Sequence, residues 1–284
     1  MNFRSRVLFA LALTLLPGCL SLARPSKQDR EEASARAGKW LAAHRSEVGK
    51  STFLVFASDR PTSFESSSYE DKFNYKFARP EMDSGLATGI SDDGYLLTAA
   101  HVVNEYCYVV GWMDGKPAVS PARVVYKKFG REFGEELAIL HVDNHLDGPI
   151  PLGTLDSAES DVYTFACDRQ AELKVVIIAG KIIQRSEPKP NEDAAVIVMD
   201  SPLWFGDSGG AIMSKDGKLV GVFVGVSRSF KFFKVPRFAC VPDMDRVQSI
   251  IEADRLITKE PSPAPEPAAA SVTPLAAPDA RESP

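Results

Sequence analysis

Short apolar and β-branched runs, interrupted at close intervals by Gly, Asp, Asn and Pro, fill the middle of the chain. Thr52 to Ala57 is the first, followed by Tyr95 to Thr98, Tyr106 to Trp112, Ala122 to Tyr126 and Leu137 to Val142. Val162 to Ala166, Val175 to Ile178, Ala195 to Met199 and Leu219 to Val226 continue the series. Runs of this length read as strands, and the Asp92-Asp93-Gly94, Asp114-Gly115 and Asp216-Gly217 breaks read as hairpin turns. Many short strands at near-regular spacing predict an all-β barrel or sandwich rather than βαβ units. One helical pattern closes the series. Asp243 to Ile257 sets Met244, Val247, Ile250 and Ile251 on one face, with Asp243 as a candidate N-cap after Pro242.

The two ends have a different texture. Arg4 and Arg6 precede the apolar run Val7 to Leu16, which is too short for a permanent bilayer span and reads as a secretory signal over residues 1–23. Two cleavage readings stay open. Leu16-Pro17-Gly18-Cys19 resembles a bacterial lipoprotein box, in which Cys19 becomes the lipidated first residue; Ser21-Leu22-Ala23 suits ordinary cleavage after Ala23. Either one exports the protein, to the cell envelope as a lipid-anchored protein or to the exterior. Residues 24–45 are charged and Ala-rich, with Glu31, Glu32, Arg36 and Lys39 among small residues, and are expected to form a short helix or a tether. At the other end, residues 259–284 are dominated by Pro, Ala, Ser and Thr from Pro261 onward. With so few large apolar side chains, burial cannot offset the entropy of ordering, so a solvated tail is expected. The globular domain is therefore expected over residues 46–258.

Composition removes some function classes. A net charge of -5 offers no basic surface of the kind that nucleic-acid binding needs. If Cys19 is lipidated, Cys107, Cys167 and Cys240 remain, an odd number that allows at most one disulfide within the chain. Their apolar neighbours suit buried thiols at least as well. The chain has no CxxC and no Cys/His cluster at zinc spacing, so neither a metal nor another cofactor is expected.

The chemistry concentrates at Gly206-Asp207-Ser208-Gly209-Gly210. A nucleophilic serine needs an exposed oxygen beside converging backbone N–H groups, and flanking glycines permit the backbone angles and close approach involved. Leu97-Thr98-Ala99-Ala100-His101 places a histidine directly after a strand, with small alanines that allow tight packing beside it.

These motifs resemble those of the trypsin-like serine peptidases, above all the bacterial HtrA-like branch. The resemblance runs in the family's order through Gly89 to Thr98, Pro149 to Gly153, Gly180 to Ile183, Phe238 to Pro242 and the helix beyond. It implies a double six-stranded β-barrel with a C-terminal helix, and a serine endopeptidase acting on protein or peptide substrates. Nothing after the core resembles a PDZ domain. Ser208 would be the nucleophile, His101 the general base, and the N–H groups of Gly206 and Ser208 the oxyanion hole. The family's catalytic aspartate precedes a Leu-Ala-Leu-like strand. Here Glu136-Leu137-Ala138-Ile139-Leu140 stands there, so Glu136 takes the orienting role, while Glu135 and Asp143 should face the other way.

Further expectations concern the residues around these motifs. Asp207 matches the trypsin pattern, in which it pairs with a newly cut N-terminus, yet no Ile-Val-Gly-Gly start is present and its partner stays open. Trp204 and Phe205 either shape the rim of the oxyanion loop or pack in the core. Val224, Gly225 and Val226 would wall an apolar first pocket that takes small or medium aliphatic residues. The stretch Phe230-Lys231-Phe232-Phe233-Lys234 is either a substrate or membrane-facing loop or a hairpin with a solvated edge. Two alternatives to the endopeptidase remain: a pseudopeptidase that uses the cleft to bind proteins, with Glu136 as the mark of decay, and an esterase. The oligomeric state is not legible.

Overall fold

A computed structural model of the chain describes residues 24–60, 83–130, 133–168, 174–188, 194–226 and 236–259. The expected signal segment with Cys19 and Ala23, the stretch Phe230 to Lys234 and the tail from residue 260 lie outside the described residues. Twelve strands are described. In chain order the first six are β1 (Thr52–Ser58), β2 (Asp83–Gly89), β3 (Tyr95–Thr98), β4 (Tyr106–Met113), β5 (Lys116–Phe129) and β6 (Glu136–His141). They close into one antiparallel barrel in the order β1-β2-β3-β6-β5-β4. The second six are β7 (Asp161–Asp168), β8 (Lys174–Ser186), β9 (Ala194–Asp200), β10 (Ala211–Met213), β11 (Leu219–Val226) and β12 (Arg237–Pro242). They close in the order β10-β11-β12-β9-β8-β7. The fold is the expected double barrel.

Each barrel is packed with buried apolar side chains, on both faces of some strands. Phe53, Leu86, Leu96, Ile139 and Leu140 are fully buried in the first barrel, and Phe165, Ile178, Ile212, Val220 and Phe223 are buried in the second. Closure of strands this long demands bends, and β5, β8 and β11 each carry a register shift against a neighbour.

Residues 24–45, expected as a short helix or tether, contribute most of a long docked helix, α1 (Lys27–Ser51). A capping box starts it. The Ser26 hydroxyl accepts from Asp29 N–H, and the Asp29 carboxylate accepts from Ser26 N–H. Ala33, Ala37, Trp40 and Val48 are buried along one side of the helix. The two alanines let the helix approach the sheet closely. Trp40 stacks on Tyr163 at 4.6 Å and donates from Nε1 to the carbonyls of Ser214 and Lys215. The expected domain boundary at residue 46 falls inside this helix, which runs directly into β1.

The C-terminal helix, α2 (Met244–Lys259), returns from the second barrel to the first. Asp243 caps it, accepting from the N–H groups of Asp245 and Arg246 at 3.0 and 3.4 Å. Met244, Val247 and Ile251 are buried. Farther along, Arg123 makes two bonds to Asp254 at 2.8 and 2.6 Å, and the Tyr95 hydroxyl donates to Asp254 at 2.8 Å. Arg255 spans the Asp93 carboxylate with two bonds of 2.7 Å.

This clasp carries a pH signature. Hydrogen bonds from Arg255 hold the Asp93 carboxyl at about 2, and those from Arg123 and Tyr95 lower Asp254. Burial, with Asp254 alongside, pushes Tyr95 up to about 12. Carboxylates depressed in the folded state contribute stability that is complete above their unfolded value, near ~4, and is lost as pH falls through the folded value. Thermal unfolding is therefore expected to show Tm falling between about pH 4 and pH 2. Asp254→Ala should remove part of that slope and cost about 1–2 kcal/mol at neutral pH, roughly 2–8 °C in Tm. Parallel profiles for the two proteins would exclude Asp254 from the acid response.

Candidate active site

β3 and β6 together set the imidazole and its carboxylate. β3 ends at Thr98, Ala99 and Ala100 follow without exposed surface, and the chain makes one 3₁₀ turn over Ala100–Val102 that carries His101. β3 pairs antiparallel with β6, Thr98 opposite Ala138. Glu136, at the start of β6, therefore lies just beyond the end of β3, beside that turn. Its Oε2 accepts from His101 Nδ1 at 3.0 Å and from the His101 backbone N–H at 3.2 Å. Two bonds to one oxygen hold ring and backbone together. With Nδ1–H given to the carboxylate, Nε2 keeps its lone pair for a proton. The Glu136 side chain is 13% exposed and that of His101 34%, so the carboxylate is sheltered while the ring is partly open to solvent.

Ser208 comes from the second barrel and is pinned to the first. Its carbonyl accepts from Leu86 N–H of β2 at 2.7 Å, and the Leu86 carbonyl accepts from the Thr98 hydroxyl of β3 at 2.7 Å. The Ser208 and His101 segments thus hang on the same pair of strands. Around Ser208, Asp207 N–H donates to the Trp204 carbonyl, Gly209 N–H to Phe223 and Gly210 N–H to Asp207. Gly206 and Ser208 N–H have no intramolecular partner among the described residues. Those two donors are the pair expected to receive an oxyanion. Gly206 has φ 93, in the left-handed region that favours glycine. Among the described residues, no hydrogen bond joins Ser208 Oγ to His101; such contacts tighten when substrate binds.

Residues 84–222 match a family model described as the trypsin-like peptidase domain. The chain carries a trypsin-like peptidase domain. The match begins in β2 and ends in β11, so it includes His101, Glu136 and Ser208. No curated protein sequence matches the chain. Among solved structures, the HtrA-type protease AlgW with a tripeptide superposes with a TM-score of 0.52 at 21% identity, covering 75% of this chain and 64% of that one. Deg5 superposes with a TM-score of 0.51 at 15% identity, covering 75% of this chain and 92% of that one. AlgW with a decapeptide gives 0.50 at 20% identity, over 74% of this chain and 67% of that one. At these identities the likeness is one of fold.

Within the peptidase domain the remaining expected residues take these places. Asp143 is fully exposed and its partner is His141, at 3.7 Å, away from His101. Glu135 lies in the 3₁₀ turn Phe133–Glu135 before β6, and no hydrogen bond joins it to His101 among the described residues. Phe205 is 56% exposed, which favours the rim over the core, and meets the half-buried Trp204 edge-on at 5.1 Å. Val224 is buried, with Gly225 and Val226 half-buried. β11 pairs with β10 no farther than Val222 opposite Ala211, whereas Gly225 and Val226 still pair with Phe238 and Arg237 of β12. One edge of Val224 to Val226 is therefore without a strand neighbour among the described residues. Cys107, Cys167 and Cys240 are buried and form no disulfide among the described residues, and burial pushes the Cys107 thiol up.

Two site residues escaped the sequence reading. An added Cβ on Gly85 would stand 2.5 Å from the Ser208 carbonyl oxygen and 2.7 Å from Val102 Cγ2, so only glycine lets the His101 turn and the Ser208 loop meet across β2. The second is Arg30. Its guanidinium meets the buried Asp207 carboxylate at 2.8 Å from α1, supplying the partner that the sequence left open. Charge at residue 30 looks like that of any solvated helix position, so no local signal distinguished it.

Proposed function

We propose that this chain is an exported serine endopeptidase that cleaves protein or peptide substrates of the cell envelope through an acyl-enzyme. The observation that carries the reading is the Glu136–His101 bond at Nδ1, beside a serine loop anchored to the same strands. His101 Nε2 takes the Ser208 proton as Oγ attacks the scissile carbonyl; the imidazolium so formed is stabilised by Glu136. The oxygen that gains negative charge is received by Gly206 and Ser208 N–H, worth on the order of a hundredfold or more per donor. His101 returns the proton to the leaving amine, and water repeats the sequence on the acyl-Ser208 ester.

Substrate adds as an extra strand along the free edge of Val224 to Val226, with main-chain bonds for affinity and side-chain pockets for selectivity. The HtrA-type neighbour was solved with a tripeptide, which supports a peptide or protein substrate. The apolar wall favours small or medium aliphatic residues before the cut. Cys19 is the proposed lipid anchor; Cys19→Ser should move the protein from the membrane to the soluble fraction, and an unchanged distribution would remove the anchor.

A fluorophosphonate probe tests the catalytic reading. It should label the full chain stoichiometrically at Ser208, as located by mass spectrometry of the adduct. A folded protein that resists the probe would instead be a binding module on a peptidase scaffold.

A further inference from the structure

Asp207 sits immediately before the nucleophile with its carboxylate 2% exposed. It is a structural hub. Oδ1 accepts from Cys167 N–H at 2.9 Å, and Oδ2 accepts from Trp204 N–H at 2.8 Å. Asp207 N–H also donates to the Trp204 carbonyl at 3.0 Å. The carboxylate thus closes a short loop, Trp204 to Asp207, with Gly206 at φ 93 inside it. The direction of the Gly206 N–H depends on where that carboxylate stays.

A carboxylate this buried keeps its charge and position only with a counter-charge. Arg30 supplies it as a fork, with Nη1 2.8 Å from Oδ2 and Nη2 3.4 Å from Oδ1. The same guanidinium donates to the carbonyls of Pro202 at 3.4 Å and Cys167 at 3.2 Å. Arg237, buried beside it, donates from Nε to the Leu203 carbonyl at 3.3 Å. Arg30 itself is held by the capped start of α1 and by the buried Ala33 and Ala37 behind it.

We infer that Arg30 is a positioning residue for the oxyanion hole: α1 supplies from within the chain the cation that cleavage-activated relatives obtain from a new N-terminus. The inference rests on the peptidase reading above. It means that the protease needs no activation cut to order its oxyanion loop. It also means that any agent lifting the start of α1 would switch turnover off without touching the triad.

Removing the cation leaves a buried carboxylate unpaired, which draws Asp207 toward water and turns the Gly206 N–H away from the reacting carbonyl. The test uses the full chain and its Arg30→Ala, Arg30→Gln, Arg30→Lys and Trp40→Phe variants. They are assayed for kcat and KM on a peptide, inhibition by a peptidyl boronic acid as the oxyanion mimic, and Tm. Arg30→Ala and Arg30→Gln should lower kcat and boronate affinity together, by about 100-fold or more, the scale of losing one oxyanion donor, with KM within threefold. Arg30→Lys should recover at least tenfold of the loss. Trp40→Phe, which loses the Nε1 bonds and part of the stacking on Tyr163 at the middle of α1, should lower Tm and leave kcat within twofold.

Wild-type kcat in a folded Arg30→Gln overturns the inference. So does a Tm loss in every variant with kcat falling in proportion, and so does unfolding of both charge-removing variants, since each assigns the pair to the fold. If the wild type resists fluorophosphonate and hydrolyses nothing, the peptidase reading itself fails; if the wild type turns over and Arg30→Gln matches it, only the role of Arg30 does.

Discussion

Ser208→Ala is expected to lower kcat for peptide hydrolysis by roughly a million-fold, the scale seen when a catalytic serine or histidine is deleted from a working triad. The variant should fold normally, because Ser208 makes its structural bond through its carbonyl, which accepts from Leu86 N–H and survives the change. KM should move little, since the open edge of β11 and its pocket are untouched. Some acceleration over water should persist, about 10³–10⁴-fold, because the Gly206 and residue-208 N–H groups still stabilise the tetrahedral oxyanion. Progress curves on a fluorogenic peptide, corrected with active-site titration of the wild type, provide the measurement. A loss of less than about 10³ would mean that another group attacks the carbonyl.

Glu136→Gln carries the second large effect, a fall in kcat of about 10⁴-fold with little change in Tm. A neutral amide can donate to His101 Nδ1 as readily as accept from it, which stabilises the tautomer protonated at Nε2 and so removes the base. It also withdraws the charge that stabilises the imidazolium. The effect should be distinct from that of Glu136→Asp. Aspartate keeps the charge but shortens the reach by one methylene, and should cost less than the glutamine. Activity in Glu136→Gln within tenfold of wild type would dismiss Glu136 as the orienter and reopen the case for a decayed scaffold.

How much of this was legible in the chain depended on the range of the interaction concerned. β3 and β11 fall where their apolar runs end, and α2 begins one residue past its expected cap. β5 runs from Lys116 to Phe129, well beyond the expected Ala122 to Tyr126, because Pro117 and Pro121 disguise a strand that pairs with β4 over its first half and with β6 over its second, apart from the shift at Val125. β2 (DSGLATG) was hidden for another reason. It packs between neighbours through small side chains and Gly85, so it lacks the apolar alternation by which strands are recognised.

The site divides in the same way. Ser208 and Gly206 were visible because the glycines they need are adjacent in sequence. His101 was visible as a candidate because it directly follows a recognisable strand, and Glu136 because the stretch it opens resembles the family's acid-bearing strand. Asp207 was visible as a residue in want of a partner, whereas Arg30 is 177 positions away and nothing near it announces the pairing.

From its order of residues alone, this chain determined an all-β core, the turns between its strands and the capped terminal helix, and it marked Ser208, His101 and Glu136 as candidates for nucleophile, base and orienting carboxylate. These follow from local backbone preference, polar alternation and short motifs, which act between near neighbours. Tertiary structure decided what no window of sequence contains: that the Ala-rich segment docks as α1, that Gly85 is the spacer between the His101 turn and the Ser208 loop, and that Arg30 neutralises Asp207. Each of those depends on burial, where a missing methyl or an unpaired charge acquires its energetic weight only once distant stretches of chain have excluded water between them.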